Sequence, residues 1–126
     1  YDTRVGKDPE FELTINDSEK DILKQISIIG KEIGTTTGRN RGVNWLNLSK
    51  LIESINISGC TIIVISKVDI LENININKYK LILNNSIIEF ENINKMKNYI
   101  EETLFNNCKI LTKLVYSNSP KYIDNL

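Results

Sequence analysis

Residues 60–65, which read CTIIVI, place the tightest constraint on what this chain can fold into. β-Branched residues favour extended backbone, and a nearly unbroken apolar run of this length is typical of a strand buried on both faces, as in parallel sheets. Gly59 precedes the run and the polar segment 66–69 follows it. The run therefore predicts a core strand of an α/β sheet, with its carboxyl end at the edge where such sheets bind ligands.

The chain before this strand predicts a loop and then two helices. Residues 1–17 show little periodicity and indicate an ordered loop. The first helix opens with Asp17 or Ser18 as its N-cap and ends at a left-handed turn at Gly34, and the second spans residues 46–57 with Asn44 or Asn47 as N-cap. Their apolar faces are Ile22, Ile26, Ile29 and Ile33 in the first helix and Leu48, Leu51, Ile52 and Ile55 in the second.

The chain after this strand predicts a hairpin, a third helix and a last strand. Tyr79–Leu83 and Ser86–Phe90 flank two asparagines, which tolerate the positive φ of a tight turn. The helix covers residues 95–106, with Met96, Tyr99, Ile100 and Leu104 apolar, and the strand covers 110–116. The fold class is α/β, and two core strands with a hairpin make a small sheet that needs further neighbours.

Composition excludes several classes of function. Lys+Arg and Asp+Glu are both 16, so the chain has no net charge and we expect no nucleic-acid partner. No apolar run reaches membrane-spanning length and no signal peptide opens the chain, which predicts a cytoplasmic protein. Histidine is absent, so we expect no metal site and no general base here. Cys60 and Cys108 are expected as small buried residues rather than as a disulfide or metal ligands.

The segment 34–41, GTTTGRNR, is the first candidate site. It combines hydroxyls, flexible glycines and two guanidinium groups, which together suit a carboxylate or a phosphate. A plain Gly/Thr-rich connector is the structural alternative, as is an arginine pair bonded to nearby carboxylates.

The segment 66–69, SKVD, is the second candidate site. The Asp69 carboxylate can accept from both N1–H and the N2 amine of guanine while the Lys67 stem lies along the base, and adenine lacks that pair of donors. A solvated strand end is the alternative. The segment 117–120, SNSP, can cap the same base or be an ordinary turn.

Taken together, these segments resemble the C-terminal portion of the adenylosuccinate synthetase family. The similarity runs from the first residue to about Pro120, in the family's order. It is carried by residues 3–6 (TRVG), 34–41 (GTTTGRNR), 44–48 (NWLNL) and 66–71 (SKVDIL), and more weakly by 99–102 (YIEE) and 117–120 (SNSP). It implies that residues 1–126 form one C-terminal portion of a P-loop-NTPase-like α/β fold, with few core strands, a hairpin and about three helices.

The resemblance also implies a reaction and a set of contacts. The family joins L-aspartate to IMP using GTP and Mg²⁺, as part of purine biosynthesis. The resemblance implies that residues 34–41 form the aspartate loop, which binds L-aspartate. The implied contacts to aspartate and IMP are Val5, Thr35, Thr36, Thr37, Gly38, Arg39 and Arg41. The implied contacts to GTP are Arg41, Lys67, Val68, Asp69, Ser117, Asn118 and Ser119.

The chain also departs from the family pattern. Asn40 stands where the family has a further basic residue, and SNSP stands where it has Ser-Thr-Gly-Pro. Nothing matches the family's phosphate loop, catalytic Asp and His, or Mg²⁺ ligands. We therefore expect an N-terminal portion as partner, from the same gene or a split chain, and a homodimer as in the family. A non-catalytic nucleotide-binding module and a phage-type synthetase portion that uses (d)GMP are the alternative functions.

Overall fold

The computed structural model describes residues 1–4, 19–31, 42–74 and 78–117. The strands in these ranges are β1 (Asp2–Arg4), β2 (Gly42–Asn44), β3 (Leu46–Asn47), β4 (Ile62–Ser66), β5 (Tyr79–Leu83), β6 (Ser86–Phe90) and β7 (Lys113–Ser117). The helices are α1 (Lys20–Ile29), α2 (Leu48–Ser58), α3 (Val68–Asn73) and α4 (Ile93–Asn107). The predicted α/β class is confirmed.

The strands form three small sheets. β1 and β2 pair antiparallel, β5 lies between parallel β3 and antiparallel β6, and β4 and β7 pair parallel over five residues. The first residues were predicted as a loop, and that is wrong for Asp2–Arg4. This strand is too short to show a period, and its partner β2 lies about 40 residues away in sequence, so no local signal announces it.

The second helix and the hairpin form as the sequence predicts. Asn47 caps α2 by accepting from the backbone N–H of Lys50 at 3.1 Å, and Gly59 ends the helix in the left-handed conformation at φ 71°. The turn between β5 and β6 is made by Asn84 and Asn85, at φ 50° and 63°. Two left-handed residues match the twist of the strands they join, so the turn holds the hairpin in register.

The first helix ends earlier than predicted. α1 stops at Ile29, with Gly30 as a right-handed C-cap at φ −76°, and not at Gly34, which lies outside the described residues together with Asp17, Ser18 and Ile33. Leu23 and Ile26 are buried, whereas Ile29 in the last turn is 46% exposed and does not belong to the buried face.

The third helix and the last strand begin at different residues from those predicted. α4 starts at Ile93, because Asn92 accepts from the backbone N–H of Lys95 at 2.9 Å and caps it. Its buried face is Met96, Ile100 and Leu104, with Tyr99 packed against the core. β7 starts only at Lys113, since a turn occupies the residues after Cys108.

The strand that most constrains the fold is partly buried on one face and exposed on the other, and the prediction of burial on both faces is wrong. Ile63 and Ile65 pack against the core, while Ile62 and Val64 are 45% and 42% exposed. Alternate residues of a strand point to opposite faces, so one face of β4 is incompletely covered in the described structure.

The two cysteines are free thiols. Cys108 is buried, as predicted, and Cys60 is partly buried. In the part of the chain that the structure describes, no helix is long and apolar enough to cross a membrane.

A buried ionic network joins the first helix to the centre of the fold. The Glu19 carboxylate accepts from Trp45 Nε1 at 3.0 Å and from Lys80 Nζ. The side chains of Glu19 and Lys80 are only 6% and 18% exposed, and Trp45 is 1% exposed. A buried carboxylate is tolerated when it is paired and hydrogen-bonded, so the start of α1 depends on a residue of β5.

Replacing Lys80 by methionine leaves the Glu19 carboxylate buried without its cation. We expect Lys80→Met to lower the free energy of unfolding by about 3 kcal/mol. Urea unfolding followed by the fluorescence of the single tryptophan measures this loss. Lys78→Met is the matched control, because Lys78 pairs with Glu89 at 2.9 Å in an exposed position. Equal losses in the two variants would contradict the dependence on the buried pair.

Candidate functional site

The carboxyl ends of β4 and β7 meet at one edge of their sheet. The parallel register places Ser66 opposite Ser117, the last residue of each strand. Ser117 is buried and Ser66 is exposed. The two polar segments that follow these strands therefore start side by side, although Asn118 and Ser119 lie outside the described residues.

The chain turns sharply after β4. Lys67 adopts a left-handed conformation with φ 59°, and α3 begins at the next residue. An L-residue in this conformation costs about 1 kcal/mol. Non-glycine residues in such conformations cluster at binding and active sites, where the surrounding structure holds them.

The sequence pattern does not predict helix α3, because it assigns residues 66–69 to the polar tip of a strand. Asp69 lies in the first turn of α3 rather than at a strand end. Val68, Leu71 and Ile74 are each 5% exposed. Their spacing of three residues is the signal that would have revealed a short helix.

The Asp69 carboxylate has a buried oxygen with no donor. Its Oδ1 is inaccessible to solvent and has no hydrogen-bond partner among the residues described. Buried polar atoms are nearly always paired, because leaving one unpaired costs free energy. Asp69 Oδ1 thus keeps an unused capacity to accept a hydrogen bond.

Lys67 connects this strand end to the first helix. Its Nζ donates to the carbonyl oxygen of Gly30, the C-cap of α1, at 3.4 Å, and α1 contacts α3. The chain continues from Gly30 and Lys31 into residues 32–41, and the next described residue, Gly42, pairs with Arg4 in the β1–β2 sheet. The contact with Gly30 therefore places the C-terminal end of α1 beside Lys67.

A second cluster, which sequence reasoning missed, supports the same sheet edge from the side of α4. The Tyr116 hydroxyl donates to the carbonyl oxygen of Lys97 at 3.2 Å, and Lys97 Nζ lies 4.9 Å from the centre of the Tyr116 ring. Lys97 Nζ also pairs with Glu72 of α3 at 2.6 Å. Lys97 therefore links α4, β7 and α3. No spacing in the sequence pairs these three residues.

Comparison with known sequences identifies the family of this chain. The sequence model of the family described as adenylosuccinate synthetase matches residues 1–112. The chain belongs to the adenylosuccinate synthetase family. The match includes β4, α3 and α4, and it ends just before β7.

Curated relatives with the same description come from distant organisms. The adenylosuccinate synthetase of Caenorhabditis elegans is 45% identical over 73 residues, which are 57% of this chain and 15% of the relative. That of Heliobacterium modesticaldum is 36% identical over 78 residues, 62% of this chain and 17% of the relative. That of Bdellovibrio bacteriovorus is 42% identical over 71 residues, which are 56% of this chain and 16% of the relative. The matched part thus spans about one sixth of the length of these relatives.

Some of the predicted contact residues lie outside the described ranges, and others lie at the sheet edge. The residues of the predicted aspartate loop and its neighbours that lie outside the described ranges are Val5, Gly34, Thr35, Thr36, Thr37, Gly38, Arg39 and Arg41. The structure brings together Lys67, Val68, Asp69 and Ser117 at one sheet edge. Within those same ranges, no group of three or more acidic or cysteine side chains is placed to hold a metal ion.

We expect the buried phenol of Tyr116 to make the free energy of unfolding decrease at alkaline pH. Burial, with a smaller effect from Glu101, raises the pKa of Tyr116 above its ordinary value of 10.0. The folded state keeps this proton at a pH where the unfolded chain has lost it, so the free energy of unfolding decreases as pH rises through 10.

Urea unfolding between about pH 9 and pH 11 measures this effect. We expect the decrease to be smaller in Tyr116→Phe, which has no phenol to ionise. Tyr79→Phe is the control, because Tyr79 lies in β5, away from this sheet edge. An alkaline decrease of the same size in Tyr116→Phe and the original protein would contradict the assignment.

Proposed function

We propose that this chain forms the part of an adenylosuccinate synthetase that holds the guanine of GTP and one side of L-aspartate. The enzyme would join L-aspartate to IMP with GTP, a ligase step of purine biosynthesis. The observation that carries the proposal is the buried, donor-free Oδ1 of Asp69 beside the carboxyl ends of two parallel strands. The family membership supplies the class of reaction.

The carboxylate of Asp69 fits guanine by its chemistry. An ionised carboxylate only accepts hydrogen bonds, and guanine offers two adjacent donors, N1–H and the N2 amine. Adenine presents an acceptor at N1, so it would leave the buried oxygen unpaired. A site that loses a buried hydrogen bond in this way discriminates strongly between ligands.

The residues around Asp69 suit the rest of the base. The left-handed turn at Lys67 places a flexible aliphatic stem directly before the helix that carries Asp69, where the stem can lie along the face of the base. Val68 is 5% exposed and anchors the turn between them. Ser117 starts the segment that would close over the base through Asn118 and Ser119.

The aspartate loop is proposed to lie beside the same edge. This is supported by the contact between Lys67 and Gly30, which brings the end of α1 close to Lys67, and by the sequence, in which the loop at 34–41 comes after α1. Its hydroxyls, amides and arginines suit the carboxylates of L-aspartate. The residues proposed to bind L-aspartate are Thr35, Thr36, Thr37, Gly38, Arg39 and Arg41. Val5 and Arg39 would also contact the IMP ribose, and Arg41 would also contact a nucleotide phosphate.

The role of this chain is binding and orientation, and the proton transfer belongs to residues it does not contain. The sequence has no histidine. The donor sets in the described ranges do not fit Mg²⁺, because no acidic cluster occurs there, so no step is assigned to the ion on this chain. An N-terminal portion of the enzyme would supply the phosphate and metal contacts.

The guanine assignment predicts a change of base preference in Asp69→Asn. We expect GTP to bind roughly 10- to 100-fold more weakly, because a charge-assisted hydrogen bond is lost and the amide N–H faces the N2 amine of guanine, so that two donors meet. Xanthosine triphosphate should bind more tightly to Asp69→Asn than to the original protein, since its 2-oxygen accepts a hydrogen bond from that amide. Titration calorimetry with GTP, ATP and xanthosine triphosphate measures the three affinities.

Glu91→Gln is the control for this exchange. It also converts an acid to its amide, and the side chain is 83% exposed at a distant turn. The same weakening in both variants, or equal affinity of the original protein for GTP and ATP, would contradict a guanine site at Asp69.

The assignment of the reaction predicts activity only in a complete complex. We expect the chain, mixed with an N-terminal portion of a family member, to form adenylosuccinate when IMP, L-aspartate, GTP and Mg²⁺ are all present. Chromatography measures the product, as the appearance of adenylosuccinate together with the loss of IMP. Replacing IMP by dGMP tests the phage-type reaction, and GTP binding without turnover in the assembled complex would favour a non-catalytic module.

A further inference from the structure

The short helix α3, which carries Asp69, depends on other elements for its orientation. It has six residues, and isolated helices of fewer than about 12 residues are marginal in water. Its apolar residues Val68 and Leu71 are buried. Apolar packing is not directional, so it fixes which side of α3 is covered more than the exact rotation of the helix.

An ion pair with α4 supplies a directional contact. Lys97 Nζ lies 2.6 Å from Glu72 Oε1, and both side chains are partly buried, which reduces screening by salt. Glu72 follows Asp69 by three residues, and residues at this spacing are neighbours on one side of a helix. Holding Glu72 therefore restricts the rotation of the side of α3 that carries Asp69.

The same lysine contacts the strand on the other side of the proposed base site. The Tyr116 hydroxyl donates to the carbonyl oxygen of Lys97 at 3.2 Å. Lys97 Nζ lies 4.9 Å from the centre of the Tyr116 ring, within the range of a cation–π contact. Tyr116 directly precedes Ser117 at the end of β7. Lys97 thus contacts both of the elements between which the base is proposed to lie.

Lys97 also lies close to the residues proposed to hold the base. It lines a cavity whose wall includes Ser66 and Lys67 at the end of β4, Val68 at the start of α3, and Tyr116 of β7. A substitution at this position therefore acts beside the site and not from a distant surface.

We propose that Lys97 is a positioning residue that sets the orientation in which the Asp69 carboxylate meets guanine. It acts by holding Glu72 of α3 and Tyr116 of β7 against α4, and it does not itself contact the base. This role rests on the proposed function, because it concerns the same guanine site.

Selection of guanine is sensitive to orientation because two hydrogen bonds must form together. The N1–H and the N2 amine of guanine would each donate to one oxygen of Asp69, which requires the carboxylate to lie near the plane of the base. Hypoxanthine keeps the N1–H and lacks the N2 amine, so it makes one of these bonds. The ratio of the affinities for GTP and inosine triphosphate therefore reports the orientation of Asp69.

Lys97→Met tests the proposal, because methionine keeps an unbranched apolar stem and removes the charge. The carbonyl oxygen of residue 97 still accepts from Tyr116, so the exchange removes the side-chain contacts alone. We expect the original chain to prefer GTP over inosine triphosphate by at least about fivefold. Lys97→Met should lower that preference about three- to fivefold, near the upper limit for a partly exposed ion pair. Titration calorimetry with the two nucleotides measures the ratio.

Two further variants identify the contact through which Lys97 acts. Lys97→Arg can keep the ion pair and the contact with the ring, so its preference should stay within about 1.5-fold of the original. Glu72→Gln should lower the preference as much as Lys97→Met does, and the double variant should lower it no further, because both remove one contact. Additive effects of the two substitutions contradict action through Glu72.

Lys95→Met is the matched control on the same helix. Lys95 pairs with Glu91 at 3.4 Å, and both side chains are exposed. The nucleotide preference of Lys95→Met should therefore match that of the original chain. An unchanged preference in Lys97→Met, or an equal fall in Lys95→Met, overturns the proposal. Equal weakening of both nucleotides by Lys97→Met also overturns it, since that result assigns Lys97 to the shared triphosphate or to the folded fraction of the protein.

Asp69→Asn separates this role from the proposed function. If the original chain prefers GTP and only Asp69→Asn removes that preference, the guanine site stands and the positioning role of Lys97 is wrong. If the original chain binds the two nucleotides equally, the proposed function itself fails.

Amide hydrogen exchange without nucleotide measures the position of α3 directly. We expect the amides of residues 70–73 to exchange faster in Lys97→Met than in the original chain, while those of the β5–β6 hairpin change little. Unchanged exchange in α3 contradicts the link through Glu72, whatever the nucleotide affinities are.

Discussion

The carboxylate of Glu19 is the interaction on which the arrangement of this chain depends. It accepts hydrogen bonds from Trp45, at the centre of the core, and from Lys80 in the hairpin. These residues are far apart in sequence, and each belongs to a different part of the fold. A buried charge is tolerated in few geometries, because the loss of any partner leaves the free-energy cost of its desolvation without compensation. The network therefore sets the position of α1, and α1 in turn sets where the segment that follows Gly30 begins.

The candidate site arises from a second constraint, the parallel pairing of β4 with β7. Parallel strands end at the same sheet edge, so Ser66 and Ser117 become neighbours although about 50 residues separate them. The strained turn at Lys67 then directs the chain into α3 and presents Asp69 at that edge. Lys97 holds the arrangement from α4 through Glu72 and Tyr116. A core sheet, and not a loop, thus positions the groups proposed to bind the base.

Much of the fold could be predicted from sequence because the signals were local. The Asn47 cap, the Gly59 turn and the Asn84–Asn85 hairpin depend on residues that satisfy nearby backbone groups or accept positive φ. The family was also recognisable, since its motifs occur in order. What could not be predicted is non-local or very short. The strand at Asp2 needs a partner 40 residues away, α3 has fewer than two turns, and the single covered face of β4 depends on which layers surround it.

The exposed strand β4 has a consequence for handling the protein at high concentration. A short, uncharged, β-branched segment without proline is the kind of sequence that assembles into intermolecular sheets. A chain that displays such a segment in its folded state can nucleate precipitation without unfolding first. Its colloidal behaviour should therefore depend more on concentration and on time spent unassembled than on thermal stability.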